Sequence, residues 1–441
     1  MRRAAAVVGL ALAMLILGGL GLFRVVRSSS PPVLYRSVPS LQDHPVIPGA
    51  SLAQAIQNLQ VRLRSVPKDW RAAAGLGLVY VQEARITADP TYYPKAEGVL
   101  ERSLALNRTE NFDAMTGMAA LAAARHDFAG VLSWGQRARA LNPDNANIHA
   151  VIGDALVELG RYREAFNEFQ RAVDLKPDLS TYARASYALE LQGNPRDSAR
   201  AMNLALEAAG TPADAAWAAN QLGDLAFSRG DLGEAVAQYR RAVAMDSSFI
   251  PPHAGLARTE AARGHTGKAI QQYRWVVARY PLPEYVIALG DLYAVGGQED
   301  LAAQQYGLVR VEERLFRANG VNVDLEIALF DADHRVDLAA GLAAARAEWA
   351  RRQSINVADA LAWELYAAGN YSEALTYSNR ALRLGTRNAL FFFHRGMIER
   401  ALDRTGPARR DLRRAMAINP HFSILWSNTA ARVLASTGGP S

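Results

Sequence analysis

The apolar, small and polar positions of this chain repeat as a block. Leu222-Gly223-Asp224, Gly230, Ala235, Tyr239 and Ala242 align with Leu256-Ala257, Gly264, Ala269, Tyr273 and Val276, and these with Leu289-Gly290-Asp291, Gly297, Ala302, Tyr306 and Val309. The step is about thirty-four residues, the period of stacked helix pairs. Each block predicts a first helix with a bulky residue followed by a small one, as in Leu76-Gly77, Met118-Ala119, Ile152-Gly153, Leu361-Ala362 and Leu222-Gly223. The small side chain predicts close approach of a second helix there.

Turns such as Leu159-Gly160-Arg161 and Gly369-Asn370 then start the second helix, with glycine supplying the left-handed helix-ending conformation. Ala172, Ala242, Ala381 and Ala415 follow Ala165, Ala235, Ala374 and Ala408 at a spacing that keeps each pair on one helix face. Pro143, Pro177, Pro281 and Pro420 mark where units close. Before the first block, Leu52, Ile56, Leu59 and Leu63 predict a lead-in helix, and a capping helix is expected over Ser423 to Ala435. Three places break the rhythm: the turn from Ile86 to Pro94, the turn holding Pro195, and the segment from Val311 to Gln353, where a helix is prolonged and a bend or domain junction is expected.

These residues resemble the tetratricopeptide-repeat family from about Trp70 to Pro420. The resemblance implies an all-α, right-handed α-solenoid of about ten helix pairs whose first helices line a concave face and grip an extended peptide or a partner helix. Taking the residue after each small Gly or Ala as facing that groove selects Asp154, Asp224 and Asp291, with Tyr187, Phe330, Trp363 and Met397 at other matching places and Trp217, Phe227 and Tyr366 on the same predicted face. Aromatic anchors among spaced carboxylates suit a partner carrying apolar residues and some Arg or Lys. The alternative is that Trp217 and Trp363 fill space between units and that the aspartates are solvated or cap helices. The Lys and Asn pairs with which some members of the family clamp a terminal carboxylate are missing at the matching places.

The amino terminus changes the picture. Ala4 to Phe23 is an unbroken run of apolar and glycine residues, long enough at about 1.5 Å per residue to span a hydrocarbon core of about 30 Å. It predicts a transmembrane anchor within residues 1–27, a Pro/Ser-rich linker over 28–49, the solenoid over 50–435 with a divergent unit at about 311–353, and a flexible tail over 436–441. The expected protein is a membrane-tethered scaffold, with its repeats on the outer side of a bacterial-type membrane. A cleaved leader that yields a secreted or periplasmic binder is the alternative. The +6 net charge comes mostly from Arg2, Arg3, Arg24, Arg27 and Arg36, so the repeats are near neutral and a nucleic-acid partner is not expected.

Catalytic chemistry finds little to stand on. There is no cysteine, the histidines form no His-x-x-x-His pair, and no Gly-x-Ser-x-Gly elbow or phosphate loop occurs. Asp331, Asp333 and His334 form the sharpest local cluster; a metal-dependent enzyme centred there is the competing reading, against helix-end capping. No cofactor, metal or catalytic residue is predicted, and the partner expected is a protein or peptide.

Overall fold

A computed structural model describes residues 52–87 and 89–436, and every described element is a helix. The lead-in helix is α1 (Leu52–Ser65). Ten pairs follow: α2 (Trp70–Thr87) with α3 (Tyr92–Leu106), α4 (Phe112–Ala124) with α5 (Phe128–Leu141), and α6 (Ala146–Glu158) with α7 (Tyr162–Leu175). Next come α8 (Leu179–Leu191) with α9 (Pro195–Glu207), α10 (Pro212–Ser228) with α11 (Leu232–Met245), α12 (Pro251–Ala262) with α13 (Thr266–Val277), and α14 (Pro283–Val295) with α15 (Glu299–Ala318). The last pairs are α16 (Asp324–His334) with α17 (Leu338–Arg351), α18 (Ile355–Ala367) with α19 (Tyr371–Ala381), and α20 (Ala389–Ala401) with α21 (Thr405–Ile418), before the closing helix α22 (Ser427–Ser436).

The pairing has a local cause. Gly223 lies against the ring of Tyr239 from the second helix of its own unit, and a Cβ built on Gly290 would stand 2.5 Å from the Tyr306 ring. Any larger side chain there would drive the two helices apart, at about 1–3 kcal/mol. Starts are fixed by side chains that take up free amide groups: Asp127 accepts from Gly130, Thr211 from Asp214, Asp231 from Glu234 and Ser354 from Val357. From the second pair on, the chain turns between first and second helices through a left-handed residue, glycine in six pairs but His126, Arg335 with Asp337, and Asp403 in the other three.

The irregular places resolve as variations on the pair. α2 runs on through Thr87, and Pro94 sits in the first turn of α3, where its missing N–H costs nothing. Pro195 opens α9 for the same reason. α15 is prolonged to twenty residues, Asn319-Gly320 ends it, and α16 and α17 form a complete pair.

The chain divides into two compact units. One holds residues up to Val157 with Arg161–Thr181 and Arg314–Asn322; the other holds Glu158–Gly160, Tyr182–Glu313 and Val323 onward. The end of α15 and its following turn thus belong with the earlier repeats, although the rest of that helix does not.

The membrane-tethered reading is corrected here. No helix among the described residues is long and apolar enough to cross a membrane. The run from Ala4 to Phe23 lies outside the described residues, as do the linker over 28–49 and the tail beyond Ser436. A transmembrane anchor, a bilayer contact through residues 4–23 and a single-pass location are therefore withdrawn. The longest helix among the described residues shows why length alone is not enough: α15 carries Glu299, Asp300, Arg310, Glu312, Glu313, Arg314 and Arg317, and charged side chains are costly in lipid.

Candidate functional site

First and second helices differ in how they are enclosed. Second helices bury one face, as α11 does with Ala235, Val236, Tyr239 and Ala242. First helices are surrounded: in α10 every residue from Ala216 to Phe227 is buried except Asp224, and in α18 so is every residue from Val357 to Leu365. A helix apolar on most sides, with alanine and glycine between its large residues, takes such a position.

The nine candidate residues are accordingly not on an open surface. Asp154 is buried in α6 of the first unit. In the second unit Tyr187, Trp217, Phe227, Asp291, Phe330 and Trp363 are buried, and only Asp224 and Tyr366 are half-buried. Trp363 is 2 % exposed and fills space between units: it stacks on Tyr366 at 4.6 Å and His394 at 4.1 Å and joins a core of Phe393, Met397 and Leu412. Phe330 packs with Val286, Val309 and Ile327.

What joins these positions is a ladder of polar contacts from one first helix to the next. Asp224 of α10 accepts from Arg258 of α12 at 2.5 Å and from the Tyr239 hydroxyl at 2.8 Å. Arg258 also donates to Tyr239 and lies 4.1 Å over the Phe227 ring. Asp291 of α14 pairs with His334 of α16 at 2.9 Å and accepts from Tyr306 at 3.0 Å. Asp333 accepts the indole N–H groups of Trp363 at 2.8 Å and Trp426 at 2.7 Å. Asp359 of α18 holds His394 of α20 at 2.9 Å. Arg258, Asp359, His394 and Trp426 are not among the sequence-selected residues, and Asp333 is among them only as part of the Asp331, Asp333 and His334 cluster. Arg258 was within reach, because Leu256-Ala257-Arg258 puts it at the place of Asp224 and Asp291.

The ladder is not fully satisfied. Beside Asp224, the Asn220 amide donates to its carboxylate at 3.1 Å, while Asn220 Oδ1, Glu190 Oε2, Arg229 Nη1 and Arg258 Nε are buried without a hydrogen-bond partner. Burial, and then the Asp224 charge, push Glu190 up to about 7 against the pull of Arg229. Burial likewise brings Glu284 to about 7, with Arg258 opposing and Asp224 assisting.

Asp331, Asp333 and His334 do not converge, so the metal-dependent enzyme is set aside. Successive helical residues point about 100° apart, and each finds a different partner: Asp331 takes Arg310, Asp333 the two indoles, and His334 Asp291 and the Phe330 carbonyl. Among the described residues no group of three or more His, Asp or Glu is placed to hold a metal ion. The chain also has no cysteine.

A cavity of about 350 Å³ is lined by Tyr366, Met397, Arg400, Ala401, Asp403, Thr405 and Ala408. It lies within the second unit, and Tyr366 and Met397 are the predicted groove residues that reach it.

Comparison with known proteins gives the architecture its likeness. A search of curated proteins finds no match. Solved structures that match include the APC/C hetero-tetramer Cut9–Hcn1, at 15 % identity over 88 % of this chain and 84 % of that one with a TM-score of 0.42. The human IFIT1 dimer with m7Gppp-AAAA matches at 17 % identity over 75 % and 76 %, TM-score 0.47. A thermophilic TPR protein of Thermus thermophilus matches at 19 % identity over 46 % and 95 %, TM-score 0.34. Identities and scores this low give no ground for transferring a partner. In sequence, the chain is similar to the tetratricopeptide repeat over residues 146–179, 182–248 and 255–310, the segments that fold as the pairs from α6 to α15.

Proposed function

We propose that this protein is a non-catalytic scaffold that holds a segment of a protein partner along the first helices of its second unit, around Asp224, Arg258 and Asp291 and at the Tyr366 cavity. The observation that carries the reading is the set of unpartnered buried atoms next to Asp224: Asn220 Oδ1, Glu190 Oε2, Arg229 Nη1 and Arg258 Nε. Buried polar atoms are nearly always paired, and a backbone segment, which offers donors and acceptors in alternation, supplies what both kinds lack. Phe227, Tyr187 and Trp217 are apolar side chains buried on the same helices, α8 and α10. Repeats that match the tetratricopeptide pattern and have no metal or thiol chemistry fit holding rather than turnover.

The test is site-specific photo-crosslinking in cells, with the photoreactive side chain at Asp224, at Tyr366, or at Arg241 on the exposed face of α11. A partner band is expected from the first two positions and not from Arg241. Equal crosslinking at all positions, or crosslinking from Arg241 alone, overturns the reading.

A further inference from the structure

A second set of contacts in the same unit joins residues nearly two hundred positions apart. The end of α6 meets the end of α17: Arg352 donates to Glu158 at 2.9 Å while also paired with Glu348, and all three are buried. The end of α8 meets the turn after α19, where the Thr386 hydroxyl donates to the Leu191 carbonyl. The end of α10 meets the end of α21, where Asn419 Nδ2 donates to the Phe227 carbonyl at 2.9 Å. Carbonyls in the last turn of a helix have no partner within it; Thr386 takes that place at Leu191, while the Phe227 carbonyl also accepts from the Gly230 amide and the Arg352 contact is to the Glu158 carboxylate.

The turn glycines record the same approach. A Cβ on Gly160 would strike the Gln353 carbonyl, one on Gly193 the Gly385 carbonyl, and one on Gly230 would stand 3.1 Å from Pro420. Gly264, Gly297 and Gly369 hold the same left-handed turn conformation with nothing within 4 Å. Backbone therefore passes three successive turns and not the later ones.

This row lies at the ends of α6, α8 and α10, and the candidate binding residues Tyr187, Trp217 and Phe227 are buried on α8 and α10. We infer that the row is a closure that parts to admit an extended segment of a protein partner to α8 and α10 and shuts them off when it forms. The inference rests on the scaffold reading above. Parting the row breaks three side-chain attachments to helix ends, among them the buried Arg352–Glu158 pair, so the closed form is favoured until a partner segment offsets that cost.

Because the chain has no cysteine, a single Asn220→Cys in the full-length protein reports access through its rate of maleimide labelling. Gln192→Cys, exposed, sets the unhindered rate. Thr386→Val with Asn419→Leu removes two attachments and is expected to speed Asn220→Cys labelling about tenfold, since each lost bond shifts the equilibrium several-fold, with circular dichroism and melting showing a folded chain. In the opposite direction, Gln192→Cys and Arg387→Cys flank the row, with the Gly193 Cβ position 3.6 Å from Arg387 Cγ. Bridging them with a short bis-maleimide is expected to slow the reporter. A reporter rate that ignores both changes, or that tracks only global unfolding in urea, overturns the closure; if the weakened variant fails to fold, the bridged protein decides alone. No partner enters this assay, so its failure is distinguishable from failure of the crosslinking test.

Discussion

Asp224 and Arg258 stand thirty-four residues apart, at the same place in successive first helices, and form an ion pair at 2.5 Å. Neighbouring units are thereby bonded along the enclosed side as well as packed. Asp224→Ala is expected to leave Arg258 and Tyr239 without their acceptor and to destabilise the fold by about 1–3 kcal/mol. Replacing both partners by Asn and Met should cost less than the single change, because no charge is left unpaired. Urea unfolding of the single and double variants measures the difference.

Glu364 in α18 is fully buried with both carboxylate oxygens unpartnered. Burial first, then Asp331 and Asp333, raise it from 4.5 to about 8. A carboxyl with a raised folded pKa binds its proton more tightly in the folded state, so stability falls as pH rises from about 4.5 to about 8. At pH 7 this amounts to something on the order of 3 kcal/mol. Glu364→Gln should flatten that slope and raise the melting temperature at pH 8 while changing little at pH 4, which thermal melts across the range would show.

His334 gives the same direction of pH dependence, from a partner that favours its charged form. Burial opposes its charge, but the hydrogen bond and charge of Asp291, helped by the Phe330 carbonyl and Asp333, outweigh it, and its pKa is raised above 6.5. The stabilisation is complete below 6.5 and is lost as pH rises through the higher folded value. In Asp291→Asn, His334 should titrate lower and the pH dependence in this window should shrink. Imidazole resonances followed by NMR give the first, and urea midpoints at pH 6 and 8 the second.

Gly193 and Gly297 share a left-handed conformation, but only Gly193 has a backbone beside it. Gly297→Ala should cost about 1–2 kcal/mol for its backbone conformation alone. Gly193→Ala should cost more, because the added methyl must also displace the Gly385 carbonyl. Thermal unfolding of the two variants side by side checks the ordering, and an equal loss would mean that the approach at Gly193 carries no weight.

Much of the architecture is legible in the chain because it is local. Leu222-Gly223 against Tyr239, the turn at Gly230 and the proline at the start of α9 each act within one unit, so one period of sequence holds the cause. The candidate site was legible by position and not by environment. Counting from the small residue selects Asp224, Asp291 and Trp363, but burial depends on what other repeats do, and Trp363 turns out to be core. Arg258 holds the same place with the opposite charge, so a pattern of aspartates does not pick it out.

The sequence by itself determined the helix pairs, their turns and the faces on which first and second helices meet, since these follow from residues within one repeat or its neighbour. Only the tertiary structure decided that Arg352, Thr386 and Asn419 reach Glu158, Leu191 and Phe227. Those partners lie 194, 195 and 192 positions apart, and each looks like an ordinary helix-end residue in its own repeat. Such contacts depend on small rotations between units added over many repeats, a sum that no single repeat encodes.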